Sequence, residues 1–71
     1  MDWSALTLRS REIVLHVGFP LTAGYSYEEI AQYLTDKRPE FRHLELPQKV
    51  TKGWVQARFR EVRREIEGQA Q

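Results

Sequence analysis

Cysteine is absent from the 71 residues of this chain. Disulfide bonds and cysteine-ligated zinc are therefore excluded, so apolar packing has to stabilise the fold. Long apolar runs are absent too, and no stretch approaches the roughly 18 residues of a membrane-spanning helix. The opening MDWSALTLRSRE lacks the basic-then-apolar order of a secretory signal peptide. We expect a cytoplasmic chain with no membrane partner.

A large charge excess is also missing, because 11 lysines and arginines face 10 aspartates and glutamates. The net charge of +1 says nothing by itself about nucleic acid. The distribution of charge is more informative. Residues 25–36 hold three acids and no base, whereas residues 49–64 hold six cations and a single acid. The last third of the chain therefore carries a concentrated positive charge.

Residues arranged for catalysis or metal binding are not found. His16 and His43 stand 27 positions apart with no companion at ligand spacing, so no metal site is expected. Ser4, Ser10 and Ser26 lack a matched base, and no glycine-rich phosphate loop occurs. The sequence therefore predicts a non-enzyme that needs no cofactor.

A chain of this length is expected to form a single domain, residues 1–71, with room for three or four helices around one small core. Thr7 is a good N-cap for a first helix over about 8–17, which Gly18 and Pro20 are expected to end. The residues expected to face inward from this helix are Leu8, Ile13, Val14 and Val17.

The stretch SYEEIAQYL predicts a second helix over about 27–35. Ser26 and Glu29 have the spacing of a capping box, which fixes a helix start. One face then carries Tyr27, Ile30, Ala31 and Leu34. The small Ala31 on this face would let another helix approach closely.

The last helix is predicted over about 52–67. Thr51 is its expected N-cap, and Gly68 stands where a left-handed C-terminal residue is common. Its inward stripe comprises Val55, Phe59, Val62 and Ile66, and its outward face carries Lys52, Gly53, Gln56, Arg60, Arg63 and Arg64.

Between these helices, residues 36–50 read DKRPEFRHLELPQKV, with prolines at positions 39 and 47. Because proline disfavours helix at the preceding residue, continuous helix is not expected here. The RHLEL motif fits either a short strand or a loop held by Leu44 and Leu46. We interpret the segment as an irregular insertion. If it only elaborates the domain, replacing Lys37 to Gln48 by a short turn should leave a folded domain, whereas loss of the fold would show that Leu44 and Leu46 belong to the core.

Three blocks of the sequence, LTLRSREIVLHVGF, SYEEIAQYL and VTKGWVQARFREVRREI, resemble a known family. The family is the C-terminal helix-turn-helix of bacterial sigma factors, their fourth conserved region, with the related output domains of response regulators. The three blocks comprise 40 residues. It implies an all-α fold: a small helix-turn-helix domain of three to four helices with an irregular insertion before the last helix. The family has a tight turn where this chain has about 14 extra residues.

The resemblance implies a DNA-binding module of bacterial or phage transcription regulation, with the helix 52–67 in the major groove of duplex DNA. The expected DNA-binding residues, on the outer face of that helix, are Lys52, Gln56, Arg60, Arg63 and Arg64. The first three would face base edges and the last two would meet phosphates. The alternative is a solvent-exposed helix without a DNA-binding role. Its charged side chains could then pair locally, Glu61 with Arg64 and Arg63 with Glu67.

A second hypothesis is a protein-interaction module of the same fold. It would dock on the transcription machinery, such as RNA polymerase or another transcription protein, or on a regulatory partner. A homodimer is expected under the DNA-binding hypothesis instead, because one module of this size makes few contacts with DNA. Aromatic residues are too many for a core of this size to hide, which predicts an exposed apolar patch. Trp54 fits either the rim of the core or a partner contact. Further candidate contacts to DNA or a partner lie in the insertion: Lys37, Arg38, Phe41 and Arg42.

Overall fold

The computed structural model describes residues 3–41 and 43–69. Within these ranges the chain is all-α and has no strand, as the sequence predicts. Two short 3₁₀ turns, Trp3–Ala5 and Arg38–Glu40, accompany the longer helices. In the described residues no helix is both long and apolar enough to cross a membrane.

The first helix, which we name α1, is built from three consecutive segments. Leu8–Ile13 is α-helical, Val14–Gly18 forms a π-helical turn, and Phe19–Thr22 is α-helical again. The predicted cap is present, since the Thr7 hydroxyl accepts a hydrogen bond from the backbone N–H of Ser10 at 3.0 Å. The turn that follows the helix uses Gly24 with a φ of 103°, a conformation that glycine adopts without strain.

The prediction that Gly18 and Pro20 end this helix is wrong. Proline lacks an N–H, and in a regular α-helix its ring clashes with the carbonyl four residues earlier. The wider π turn accommodates it: the N–H of Phe19 bonds to the carbonyl of Val14, five residues back. Gly18 has helical backbone dihedrals and does not end the helix. The Phe59 ring packs closely over it, since a Cβ built on Gly18 would lie 3.4 Å from Cε1 of Phe59.

The second helix, α2, spans Tyr27–Asp36, and its capping box is confirmed. Ser26 Oγ accepts from the N–H of Glu29, and a Glu29 carboxylate oxygen accepts from the N–H of Ser26, both at 3.1 Å. The inward residues Ile30, Ala31 and Leu34 are buried as predicted.

The third helix, α3, spans Lys52–Gln69. Thr51 caps it as predicted, with its hydroxyl accepting from the N–H of Trp54 at 3.1 Å. The prediction that Gly68 adopts a left-handed conformation at the end of α3 is wrong, because the helix continues through this residue. Among the described glycines, Gly24 has the positive φ.

All three helices and the segment before α3 contribute to one core. Its buried members are Ile13, Val17, Ile30, Ala31, Leu34, Phe41, Leu44, Val50, Val55 and Val62. The inward assignment of Leu8 is wrong, since the residue is 54% exposed. It precedes Ile13 by five positions, about 140° around the helix. Leu6, just before the cap, is buried instead.

The segment between α2 and α3 is irregular apart from its 3₁₀ turn, but it is part of the core. Phe41 and Leu44 are 6% and 5% exposed. A guanidinium nitrogen of Arg38 donates to the carbonyls of Pro47 and Gln48 at 2.7 and 2.9 Å. The segment is irregular, as the sequence predicts. Of the two roles that the sequence left open for it, the burial of Leu44 supports a structural element, because the segment supplies side chains that the three helices pack around.

Candidate nucleic-acid interface

The outer face of α3 carries the charged residues that the sequence singled out. The helix has 18 residues and a length of about 27 Å. Its core side is fixed by Val55 and Val62, which are 0% and 4% exposed. Away from this side, Gln56 is half-buried, and the predicted cations Lys52, Arg60, Arg63 and Arg64 are exposed.

An open groove of about 330 Å³ runs between the outer face of α3 and the start of α2. We name it the basic groove. Its lining consists of Tyr27, Gln56, Phe59, Arg60, Arg63, Arg64 and Glu67. Four of the five predicted DNA-binding residues thus line one groove, and Lys52 lies outside it at the first position of the helix.

The acids near the groove leave most of this positive charge uncompensated. Glu67 approaches Arg63 at 3.8 Å, but both side chains are 65% exposed, and such pairs contribute little. Of the two local pairs expected for a solvated helix, Arg63 with Glu67 is therefore present, whereas Glu61 does not pair with Arg64. It binds Arg58 instead, at 2.9 Å. Arg60 and Arg64 form no ion pair among the residues that the structure describes.

Trp54 lies on the rim of the core. The sequence had left open whether this residue packs there or contacts a partner. It is half-buried and packs against the core cluster. The guanidinium carbon of Arg58 lies 5.9 Å from the centre of its ring, within the range of a cation–π contact. Arg58 also faces the start of α1, where it lines a small cleft with Thr7 and Ser10. This flank of α3 is therefore occupied by intramolecular contacts.

The four candidate contacts of the insertion have different environments. Lys37 is exposed, whereas Arg38 is engaged by two backbone carbonyls. Phe41 is not available to a partner, which corrects its assignment: its ring lies 4.8 Å from that of His16, in the core. Sequence periodicity could not reveal this burial, since the residue lies in no regular element. Arg42 lies outside the described residues.

Two features of the surface were only partly visible in the sequence. Tyr27 was assigned to the inward face of α2, but it also lines the basic groove. The expected exposed aromatics are found at the end of α1 and beside α2, where Phe19, Tyr25 and Tyr33 are 59%, 56% and 37% exposed. In the described part of the chain, no group of three or more histidine or carboxylate side chains could hold a metal ion.

Comparisons with protein-family models, with curated proteins and with solved structures find no match to this chain.

Proposed function

We propose that this chain is a DNA-binding module of the sigma-like helix-turn-helix kind, acting in bacterial or phage transcription regulation in the cytoplasm. The supporting observation is the basic groove, where Gln56, Arg60, Arg63 and Arg64 line one open face of a long exposed helix. A helix of this size fits the major groove of B-DNA, which is about 12 Å wide.

The proposed roles follow from position along α3. Lys52, Gln56 and Arg60 lie in the N-terminal half, which reads base edges when a recognition helix enters the major groove. Arginine and lysine pair with guanine acceptors, and glutamine pairs with adenine. Arg63 and Arg64, one turn further on, would contact phosphates, which position the protein without reading sequence.

A protein-docking function is the second candidate, and the exposed aromatic residues favour it. Its surface differs from the one expected, because Phe41 is buried and Trp54 is held against Arg58. Tyr25 and Tyr33 are exposed instead. A single module makes few DNA contacts, so binding to RNA polymerase or to a second copy would also supply the affinity that DNA recognition needs.

Titration of the chain against random duplex DNA tests the DNA proposal, with fluorescence anisotropy measured at 50 and 200 mM salt. Two to four phosphate-proximal cations give a slope of log affinity against log salt of about −1.8 to −3.6. We therefore expect a loss of about 10- to 150-fold between the two salt concentrations. Arg64→Ala should reduce the slope by about 1 on every duplex. Lys49→Ala, which removes an exposed cation outside the groove, is the matched control.

Arg60→Ala should cost about 1 to 3 kcal/mol on a preferred sequence and relax the choice of base at one position. Trp54→Ala should matter less for DNA binding than Arg60→Ala. The proposal fails if the parent chain shows no affinity tighter than about 10⁻⁴ M at low salt, which is weaker than ordinary non-specific binding.

A further inference from the structure

Glu67 is the single acid among the described residues that line the basic groove, whose other charged members are three arginines. Helical spacing makes it a surface neighbour of two of them, because Arg63 lies four residues earlier and Arg64 three. A carboxylate oxygen of Glu67 lies 3.8 Å from a guanidinium nitrogen of Arg63. Arg60 and Gln56 are about two and three turns away along the helix. Glu67 therefore stands beside the proposed phosphate contacts and apart from the residues proposed to read bases.

The stability of α3 does not account for an acid at this position. The helix ends at Gln69, so Glu67 lies in its last turn, where the carbonyl end of a helix disfavours negative charge. The order of the pair is also the less favourable one, because an acid stabilises a helix better when it precedes the cation by four residues than when it follows. Both side chains are 65% exposed, so the ion pair itself contributes little. The effect of this carboxylate is therefore to be sought in the groove.

The Glu67 carboxylate and a DNA phosphate would bind the same guanidinium. A phosphate contact to Arg63 requires that the carboxylate either leaves the guanidinium or stays beside a second negative charge. Like charges at such a distance repel at low salt even on an exposed surface, since the Debye length is about 10 Å at 0.1 M. The groove would then bind phosphate less tightly than its three arginines alone would.

We propose that Glu67 is an intramolecular competitor for phosphate, which occupies Arg63 in the free chain and lowers the affinity of the basic groove for every duplex alike. This inference rests on the proposed DNA-binding function and states what limits binding at the same site. Because the carboxylate stands beside the phosphate contacts, it should leave the choice among base sequences unchanged. Weak binding to random duplex makes retention on DNA depend on base contacts or on a second bound partner.

Glu67→Gln, which removes the charge and keeps the shape of the side chain, tests the proposal by fluorescence anisotropy on random duplex DNA. The variant should bind about three- to tenfold more tightly than the parent at 50 mM salt. The gain should fall to about 1.5- to threefold at 200 mM, because the slope of log affinity against log salt becomes steeper by about 0.5 to 0.9. The ratio of affinities for a preferred and a random duplex should stay within about twofold of the parental ratio.

A double-mutant cycle with Arg63→Ala shows whether the carboxylate acts through this guanidinium. In the Arg63→Ala background, Glu67→Gln should improve binding by less than about twofold at 50 mM salt, because no cation is left there for the carboxylate to occupy. An equal gain in both backgrounds would overturn the proposal, since the carboxylate would then act on the whole groove and not by competition at Arg63.

Matched variants separate the charge at this position from charge and fold in general. Glu61→Gln removes the same charge from the flank of α3 that faces α1, and Glu45→Gln removes it from the exposed surface of the preceding segment. Each of these controls should change the affinity by less than about twofold. Glu67→Asp keeps the charge and should stay within about twofold of the parent. In urea unfolding, the midpoint of Glu67→Gln should equal the parental one or lie slightly higher.

The proposal is overturned if the parent binds duplex DNA with the expected salt dependence and Glu67→Gln binds no more tightly; the DNA-binding function would then stand without it. A parent chain that binds no duplex at low salt would overturn both. A gain that is undiminished at 200 mM salt would also exclude competition, because the removal of an electrostatic competitor matters less as salt rises.

Discussion

Replacing Leu44 by alanine should destabilise the domain strongly, although the residue lies in an irregular segment. Leu44 is 5% exposed and belongs to the same core as the three helices. Truncation of a buried leucine to alanine costs about 2 to 5 kcal/mol, and truncation of a buried phenylalanine such as Phe41 costs about 3 to 5 kcal/mol. A domain of 71 residues has a total stability of about 4 to 11 kcal/mol.

The sum of these costs decides what replacement of the segment would do. Removing both side chains costs about 5 to 10 kcal/mol, comparable to the whole free energy of unfolding. Exchanging residues 38–48 for a short glycine-containing turn should therefore abolish the folded state. Leu44→Ala alone should lower the melting temperature by at least about 8 °C, since 1 kcal/mol corresponds to about 4 to 8 °C in a domain of this size.

Thermal and urea unfolding followed by circular dichroism measure the effect. Glu45→Ala is the matched control, because this exposed neighbour should change stability by no more than about 0.5 kcal/mol. A Leu44→Ala variant that melts within a degree or two of the parent would refute the assignment of this segment to the core.

Two further predictions concern α1. Gly18→Ala should be neutral or stabilising by up to about 1 kcal/mol in urea unfolding, because Gly18 has helical dihedrals and the added Cβ meets Phe59 at ordinary contact distance. Gly18→Leu should destabilise by about 1 to 3 kcal/mol, and an unchanged midpoint would mean that Phe59 yields freely. Ser10→Ala should cost about 1 to 3 kcal/mol, because the buried Ser10 hydroxyl donates to a carboxylate oxygen of Glu65 at 2.6 Å. A double-mutant cycle with Glu65→Ala that gives no coupling energy would contradict this contact.

Local chemistry made the helix starts predictable. The side-chain oxygens of Thr7, Ser26 and Thr51 each accept a hydrogen bond from the backbone N–H three residues later. Such a cap can be predicted from the capping residue and the helical pattern that follows it, without knowledge of distant contacts. The helix ends were less predictable. Gly68 shows this: the residue type suggested the end of α3, but the exposed helix continues through it.

The sequence left the role of the insertion open, because its burial depends on contacts distant in sequence. Periodicity detects a core face only where an element is regular, and Phe41, Leu44 and Val50 belong to none. His43 shows the same dependence, since its N–H donates to a carboxylate oxygen of Glu12 in α1 at 3.1 Å. The charged face of α3 was predictable for the opposite reason, because a helix of 18 residues fixes the positions of its side chains by spacing alone.

The π turn in α1 determines where the end of that helix points. Ile13, Val17 and Leu21 are spaced by four residues, and in an uninterrupted α-helix each step of four drifts about 40° around the axis. The wide turn absorbs this drift, which keeps Leu21 packed against the core together with Ile13 and Val17. Because the π turn holds one residue more than a turn of α-helix, loss of a single codon within residues 14–18 would restore a regular helix and leave Leu21 on the same face as Ile13. α1 should therefore tolerate at this turn a one-residue deletion that would rotate every following side chain by about 100° in a regular helix.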